Sequence, residues 1–278
     1  MDSSVTALFS GTDGSDLTYK ALNAIDAGKL VSAKERVLMK PNITIMKPAS
    51  EGVTTDTGVV EGVIRFLKDQ GVCEIAIGEG GGCDITEAYA DLGFVDVASR
   101  YNVKLIDLNL QEGVLMKVPE PSFLSHFWVA KPILDYDCIV SAAKLKIHAG
   151  EWKVTLSMKN MMGVLARGER RGIHYEDRGI VDLLQVAKPS LAVIDGLVGG
   201  QSHELRSDPV RMNLVIAGGD FVAADVVGAA VMGFSPDELP RHIRLASEKG
   251  FGAHDLRRIR LVGGVAISDV RKGFRRTE

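Results

Sequence analysis

Two lysines and a histidine at alternate positions, Lys144, Lys146 and His148, close an apolar run that begins at Cys138. On an extended chain, residues two apart project from one face, so the two ammonium groups could act together on a phosphate or carboxylate. An imidazole beside them can exchange protons near neutral pH. Lys146, His148 and the later Lys159 are the candidate catalytic groups, with acid/base chemistry on a small anionic substrate the corresponding reaction. Lys40, Asn42, Lys144, Asn160 and His174 are candidates for binding that substrate, helped by the basic stretch Arg167 to Arg171. Gly80 and Gly81 join them, because the run Gly78-Glu79-Gly80-Gly81-Gly82 could offer backbone N–H groups to an anion. That run is neither a Walker A loop nor G-x-G-x-x-G, and a plain strand-to-helix turn is its simpler reading. Glu79, Asp195 and Asp225 are hard oxygen donors suited to a divalent cation or to orienting a histidine. Asp195-Gly196 reads equally as a turn, and Asp225 as a helix cap.

Groups so far apart in sequence need a scaffold that brings them to one place. Short apolar runs at Val5 to Phe9, Arg36 to Met39, Cys73 to Ile77, Val103 to Leu108, Cys138 onward, Leu191 to Ile194, Met212 to Ala217 and Ile259 to Val262 predict strands. Between them, apolar residues recur at helical spacing, as in Val59, Val60, Val63, Ile64 and Leu67, where Thr54-Thr55-Asp56 opens the segment and Gly71 closes it. This alternation predicts an α/β fold, a mostly parallel sheet with helices on both faces. The prolines around residues 110–135 break the pattern and predict a small β-ribbon inserted into a single α/β domain spanning 1–278. Lys40-Pro41-Asn42, the glycine run, Lys144 to His148, Asp195-Gly196 and Gly218-Gly219-Asp220 each follow a predicted strand. Parallel strands deliver such ends to one edge, where α/β sheets hold their ligands. Further helices are expected from about Arg178 to Ala187 and near Asp237 to Lys249, and the tail Arg271 to Arg276 is expected to fray.

Bulk composition narrows the function classes. The 278 residues are 46% hydrophobic and 25% charged with a net charge of -3, so nothing draws the chain as a whole to nucleic acid or anionic lipid. No aromatic platform accompanies the basic loop, which argues against single-strand binding. No apolar run is long enough to cross a membrane and no signal-peptide pattern opens the chain, so a cytoplasmic protein is expected. Cys73, Cys83 and Cys138 form no C-x-x-C, so no iron-sulfur cluster is expected within this chain. Cys73 and Cys138 are expected in strands as core residues.

Lys40-Pro41-Asn42, Thr54-Thr55, Gly78-Glu79, Lys144-Leu145-Lys146-Ile147-His148, Leu156-Ser157-Met158-Lys159-Asn160-Met161-Met162-Gly163, His174, Asp195-Gly196 and the stretch Asp220 to Asp225 together resemble the domain of unknown function 362 (DUF362) family. The resemblance covers roughly residues 35 to 250, and K-x-K-x-H followed by K-N-x-x-G carries it. It implies the α/β fold and the site residues above, without a reaction. Many members of that family carry a ferredoxin-like domain with cysteine-ligated iron-sulfur clusters, and this chain resembles a version lacking it. The resemblance therefore also implies an alternative in which the chain is a noncatalytic module docking an iron-sulfur or other redox protein.

Overall fold

A computed structural model describes residues 4–149, 153–166, 168–174 and 176–276 of the chain. The strands, in chain order, are β1 (Ser4–Ser10), β2 (Arg36–Lys40), β3 (Glu74–Glu79), β4 (Lys104–Asp107), β5 (Gly113–Lys117), β6 (His126–Ala130), β7 (Cys138–Ile147), β8 (Val154–Thr155), β9 (Leu191–Gln201), β10 (Asp208–Gly218) and β11 (Ile259–Val262). Among the described residues β5 and β6 pair as a separate ribbon, and the other strands form one sheet in the order β11-β1-β10-β9-β7-β2-β3-β4, with β8 against β7. The run from β9 through β7, β2 and β3 to β4 is parallel throughout. Within this sheet, among the described residues, only β10 and the short β8 run against their neighbours. The fold is α/β, a mostly parallel sheet with a small added ribbon.

Alternation along each strand feeds two cores. Val37, Met39, Ile75, Ile77, Val140 and Val193 pack with the helices Gly14–Ala24, Thr57–Asp69, Ile85–Asp91 and Phe94–Tyr101. Their neighbours Leu38, Ala76, Ile139, Leu145 and Ile194 pack with the helices Asp177–Leu184, Phe221–Val231 and Arg241–Glu248 and with the ribbon. A strand covered on both sides must be apolar at successive positions, and so these runs are unbroken. The helix Phe221–Val231 is buried along its whole length. Each Val or Phe it buries contributes about 1.5–3 kcal/mol.

Several expectations are corrected. Asp195-Gly196 is no turn, because β9 continues to Gln201 through Gly199 and Gly200. Those glycines are needed for close approach: a Cβ on Gly199 would sit 2.8 Å from the Phe274 ring, and one on Gly200 would sit 2.3 Å from the Gly52 carbonyl. The tail does not fray. Phe274 is buried, Ser202 N donates to the Arg275 carbonyl, and Arg276 pairs with Glu238 at 2.8 Å. Because β10 is antiparallel, Asp220 lies at the opposite edge of the sheet from the other strand ends, where it caps the helix Phe221–Val231. Pro240 ends the short turn Pro236–Glu238 and restricts the last long helix to Arg241–Glu248. Cys73 is exposed just before β3, whereas Cys138 is buried.

Candidate functional site

A cavity of about 270 Å³ opens at the carboxyl edge of β2, β3 and β7. From the first half of the chain it is lined by Lys40, Asn42, Glu79, Gly80 and Gly81. The second half supplies His148, Lys159, Asn160 and His174. The edge rule thus gathers most of the candidates read from the sequence. A wider depression of about 590 Å³ shares Gly81, Gly82 and Arg170 with it and leads outward past Asp107 and Arg171. Arg167 lies outside the described residues.

The floor is a closed hydrogen-bond network. Lys40 Nζ donates to Glu79 Oε1 at 2.7 Å, to Asn160 Oδ1 at 3.0 Å and to the Pro41 carbonyl at 3.0 Å. Asn160 spends its amide on the Lys40 carbonyl and Ser141 Oγ, both at 3.0 Å, and its oxygen also accepts from Asn42. Glu79 accepts from Ile43 N and from Gly80 N as well. Burial pulls the Lys40 amine below its ordinary range while Glu79 opposes the shift. Two N–H groups of the glycine run already have acceptors, Gly80 N donating to Glu79 and Gly82 N to the Thr44 carbonyl. The glycines of the run are required by proximity. A Cβ on Gly81 would lie 1.9 Å from the Ile43 carbonyl oxygen, and one on Gly80 2.4 Å from that of Gly163.

One wall carries titratable groups of a different kind. The ring centroids of His148 and His174 lie 5.6 Å apart. Nδ1 of His148 donates to the Ala149 carbonyl at 2.7 Å, which assigns the hydrogen to that nitrogen and leaves Nε2 as the basic one. Nε2 faces Glu204 Oε1 at 3.9 Å. Burial, and after it the charge of Lys159, lowers His148 to about 3, so the ring is neutral at pH 7. His174 is lowered by the same two causes. Lys159 is itself pulled down to about 8 by burial, against the pull of Glu204, and its Nζ lies 3.6 Å from Met162 Sδ. Burial opposes ionisation of Glu204, but the hydrogen bond from the Ala149 N–H holds its carboxyl below the ordinary range.

The remaining candidates lie outside this cavity. β7 extends through both lysines instead of ending before them, so Lys144 and Lys146 are fully buried. Lys144 Nζ pairs with Asp195 Oδ2 at 2.8 Å, across the β7–β9 register, and Asp195 also accepts from Asp56 N and Leu197 N. Lys146 Nζ donates to Thr44 Oγ1, the Val53 carbonyl and the Glu204 carbonyl, and thereby sits directly behind two residues that line the cavity. Burial and the nearby Lys159 lower it to about 7. Asp225 accepts from Ser157 N, Ser157 Oγ and Met158 N, capping the turn Ser157–Asn160 that presents Lys159 and Asn160. Burial raises Asp225 to about 6. Glu79, Asp195 and Asp225 are therefore each enclosed by their own donors, and among the described residues no group of three or more His, Cys, Asp or Glu is arranged to hold a metal ion.

Thr44, Thr155 and Glu204 also line the cavity, and the sequence did not single them out. No motif marks Glu204, which stands on the loop between β9 and β10 and meets Lys146 Nζ through its carbonyl and the Ala149 N–H through its carboxylate. Arg170 Nη1 donates to the Gly81 carbonyl at 2.7 Å and Nη2 to Asn109 Oδ1 at 2.5 Å, which ties the basic loop to the glycine run. No helix of the described residues is long and apolar enough to cross a membrane.

The chain is 23% identical over 224 residues to the thylakoid-associated protein sll1697 of Synechocystis sp., an alignment covering 77% of this chain and 68% of that protein. Among solved structures it is similar to the lactate racemase apoprotein of Thermoanaerobacterium thermosaccharolyticum, with a TM-score of 0.46 and 12% identity over 81% of this chain. It spans 56% of that structure's length. Residues 37–230, most of the sequence and the whole of the cavity floor, match a single family model, and the chain belongs to the family described as domain of unknown function (DUF362).

Proposed function

We propose that the cavity binds a small anionic ligand through phosphate or carboxylate and that His148 exchanges a proton with it. The observation that carries this reading is the charge imbalance of the wall. Among the described residues, once Lys40 and Glu79 have neutralised one another, the cavity is lined by Lys159 and Arg170, with Lys146 buried just behind it, and by one further carboxylate, that of Glu204. Cations crowded in a buried space lower each other's pKa, and an anion placed among them is paired at once. Ring nitrogen Nε2 of His148, in the same cavity, is the basic nitrogen of a neutral imidazole. Geometry of this kind suits proton transfer to or from a carbon or oxygen next to the bound anion.

Thermal unfolding with and without inorganic phosphate, oxalate and pyruvate tests the reading. Stabilisation of about 2.7 kcal/mol is expected for any of them at a hundred times its dissociation constant. Lys159→Met is expected to weaken the response, while His148→Gln preserves binding and abolishes proton exchange with solvent, read as deuterium incorporation into a bound oxo acid. An unchanged melting temperature with every anion would refute the assignment.

A further inference from the structure

We propose that Glu204 and His203 form a proton relay between His148 and bulk water, so that a proton taken from a ligand in the cavity leaves through the loop between β9 and β10. The proposal rests on the reading of His148 as the group that exchanges a proton with the ligand, and it adds two residues and a route to that exchange. The three side chains follow one another at printable contact. Nε2 of His148 faces Glu204 Oε1 at 3.9 Å, and the other carboxylate oxygen, Oε2, lies 3.3 Å from Nδ1 of His203. Side-chain exposure rises along this line, from 6% for His148 through 13% for Glu204 to 37% for His203. His148 and Glu204 line the cavity and His203 does not, so Glu204 is the step between a group that reaches the ligand and a group that reaches water. The backbone of Ala149 fixes the inner step. Its carbonyl accepts from Nδ1 of His148 at 2.7 Å, and its N–H donates to Glu204 Oε2 at 3.0 Å. Lys146 Nζ holds the loop itself through the Glu204 carbonyl at 3.3 Å.

The 3.9 Å gap between His148 and Glu204 is the resting state of such a pair. A bare Nε2 and an ionised carboxylate are both acceptors, so nothing draws them to hydrogen-bond distance. A proton on Nε2 turns the ring into a cationic donor, and the pair then closes into a charge-assisted hydrogen bond. In the first step the Nε2 lone pair forms the new N–H bond, and the electron pair that held the proton stays on the ligand. The proton passes next to Glu204 Oε1, which restores the neutral imidazole and leaves a neutral carboxyl. The last torsion of a glutamate is broad and roughly two-fold, so a half-turn carries the protonated oxygen to the His203 side. The Ala149 N–H finds a carboxyl oxygen after the turn as before it. Nδ1 of His203 takes the proton in place of the hydrogen bond it accepts from Leu205 N at 3.1 Å, and Nε2 of the same ring releases one to water. One proton has then moved from ligand to solvent, and the carboxylate is ionised again. Exchange with water at the outer ring resets its tautomer.

The test follows the loss of methyl protons from pyruvate in heavy water by NMR, with the full chain in dilute buffer and His148→Gln as the baseline. His203→Gln, which removes an acid/base group outside the cavity, is expected to slow exchange about tenfold or more. Added imidazole, a mobile substitute for the missing ring, is expected to restore the rate once the protein-free reaction is subtracted. The thermal response to oxalate should be the same in His203→Gln as in the wild type. Glu204→Gln, whose amide takes up no proton, should slow exchange as well. Exchange at the wild-type rate in either variant, or a slow His203→Gln that imidazole does not rescue, would overturn the relay and leave proton exchange at His148 standing. Should Glu204→Gln fail to fold, the His203→Gln rates still decide the matter. No exchange by the wild type above the His148→Gln baseline, with the oxalate response intact, would sink the proton-exchange reading and the relay together and leave anion binding.

Discussion

Lys40 Nζ and Glu79 Oε1 lie 2.7 Å apart with the two side chains 1% and 2% exposed, and this pair joins the ends of two adjacent parallel strands, β2 and β3. Its second function is to hold the following loop, since Glu79 Oε2 accepts from Ile43 N. A buried pair adds little net stability compared with apolar packing, but either partner left alone is a buried uncompensated charge.

Glu79→Gln is therefore expected to cost about 3–5 kcal/mol in urea unfolding. Adding Lys40→Met should return part of the loss, because the orphaned ammonium is then gone. Equal losses in the single and double variants would show that the pair is not the source of the penalty.

Gly81 is expected to tolerate no side chain. With a Cβ 1.9 Å from the Ile43 carbonyl oxygen and 2.9 Å from Ile85 Cδ1, Gly81→Ala must displace the backbone that lines the cavity. Overpacking of this kind costs about 1–3 kcal/mol or more, and the thermal response to oxalate should fall with it. Gly273, where a Cβ would meet nothing within 4 Å, is the control, and Gly273→Ala should leave both readings unchanged.

The fold was legible because strands covered on both faces advertise themselves as unbroken apolar runs, and the parallel strand ends at Lys40, Glu79 and His148 then define one edge. Direction was not legible for β10: an apolar run of the Met212 to Ala217 kind reads the same whichever way it points, so Asp220 was placed at the wrong edge. Lys144 and Lys146 misled for a related reason. A lysine signals the end of a strand unless a carboxylate or a set of carbonyls meets it inside, and Asp195, itself hidden in a glycine-rich strand, gave no sign of doing so. The glycine run reads as a source of N–H groups, and its close approach to the Ile43 and Gly163 carbonyls is a second requirement that no motif expresses. Glu204 depends on a loop position that no local pattern encodes.

Lys146 gives the unliganded protein a pH signature. Its folded value of about 7 lies below the ordinary 10.5, so between these values the unfolded chain holds more protons than the native one. Stability from this group is then fully present above 10.5 and lost as pH falls through 7. Wild type is expected to gain stability relative to Lys146→Met as pH rises from 7 toward 10, measured as the difference between their urea midpoints. A constant difference across that window would mean that the amine titrates normally.

Anion binding should show the reciprocal dependence. Negative charge beside Lys159 and Lys146 raises both amines from about 8 and about 7, so at pH 8 a bound oxalate makes the protein take up protons. Calorimetry in Tris and in HEPES, whose ionisation heats differ, should give binding enthalpies that diverge at pH 8 and converge at pH 6, where both amines are already charged. His148, at about 3, stays neutral over this range and does not contribute to the uptake. Affinity should accordingly weaken from pH 7 to pH 9, approaching tenfold per pH unit for each proton taken up. Buffer-independent enthalpies at pH 8 with intact binding would show that the ligand is held away from the two lysines, by the Arg170 side of the cavity.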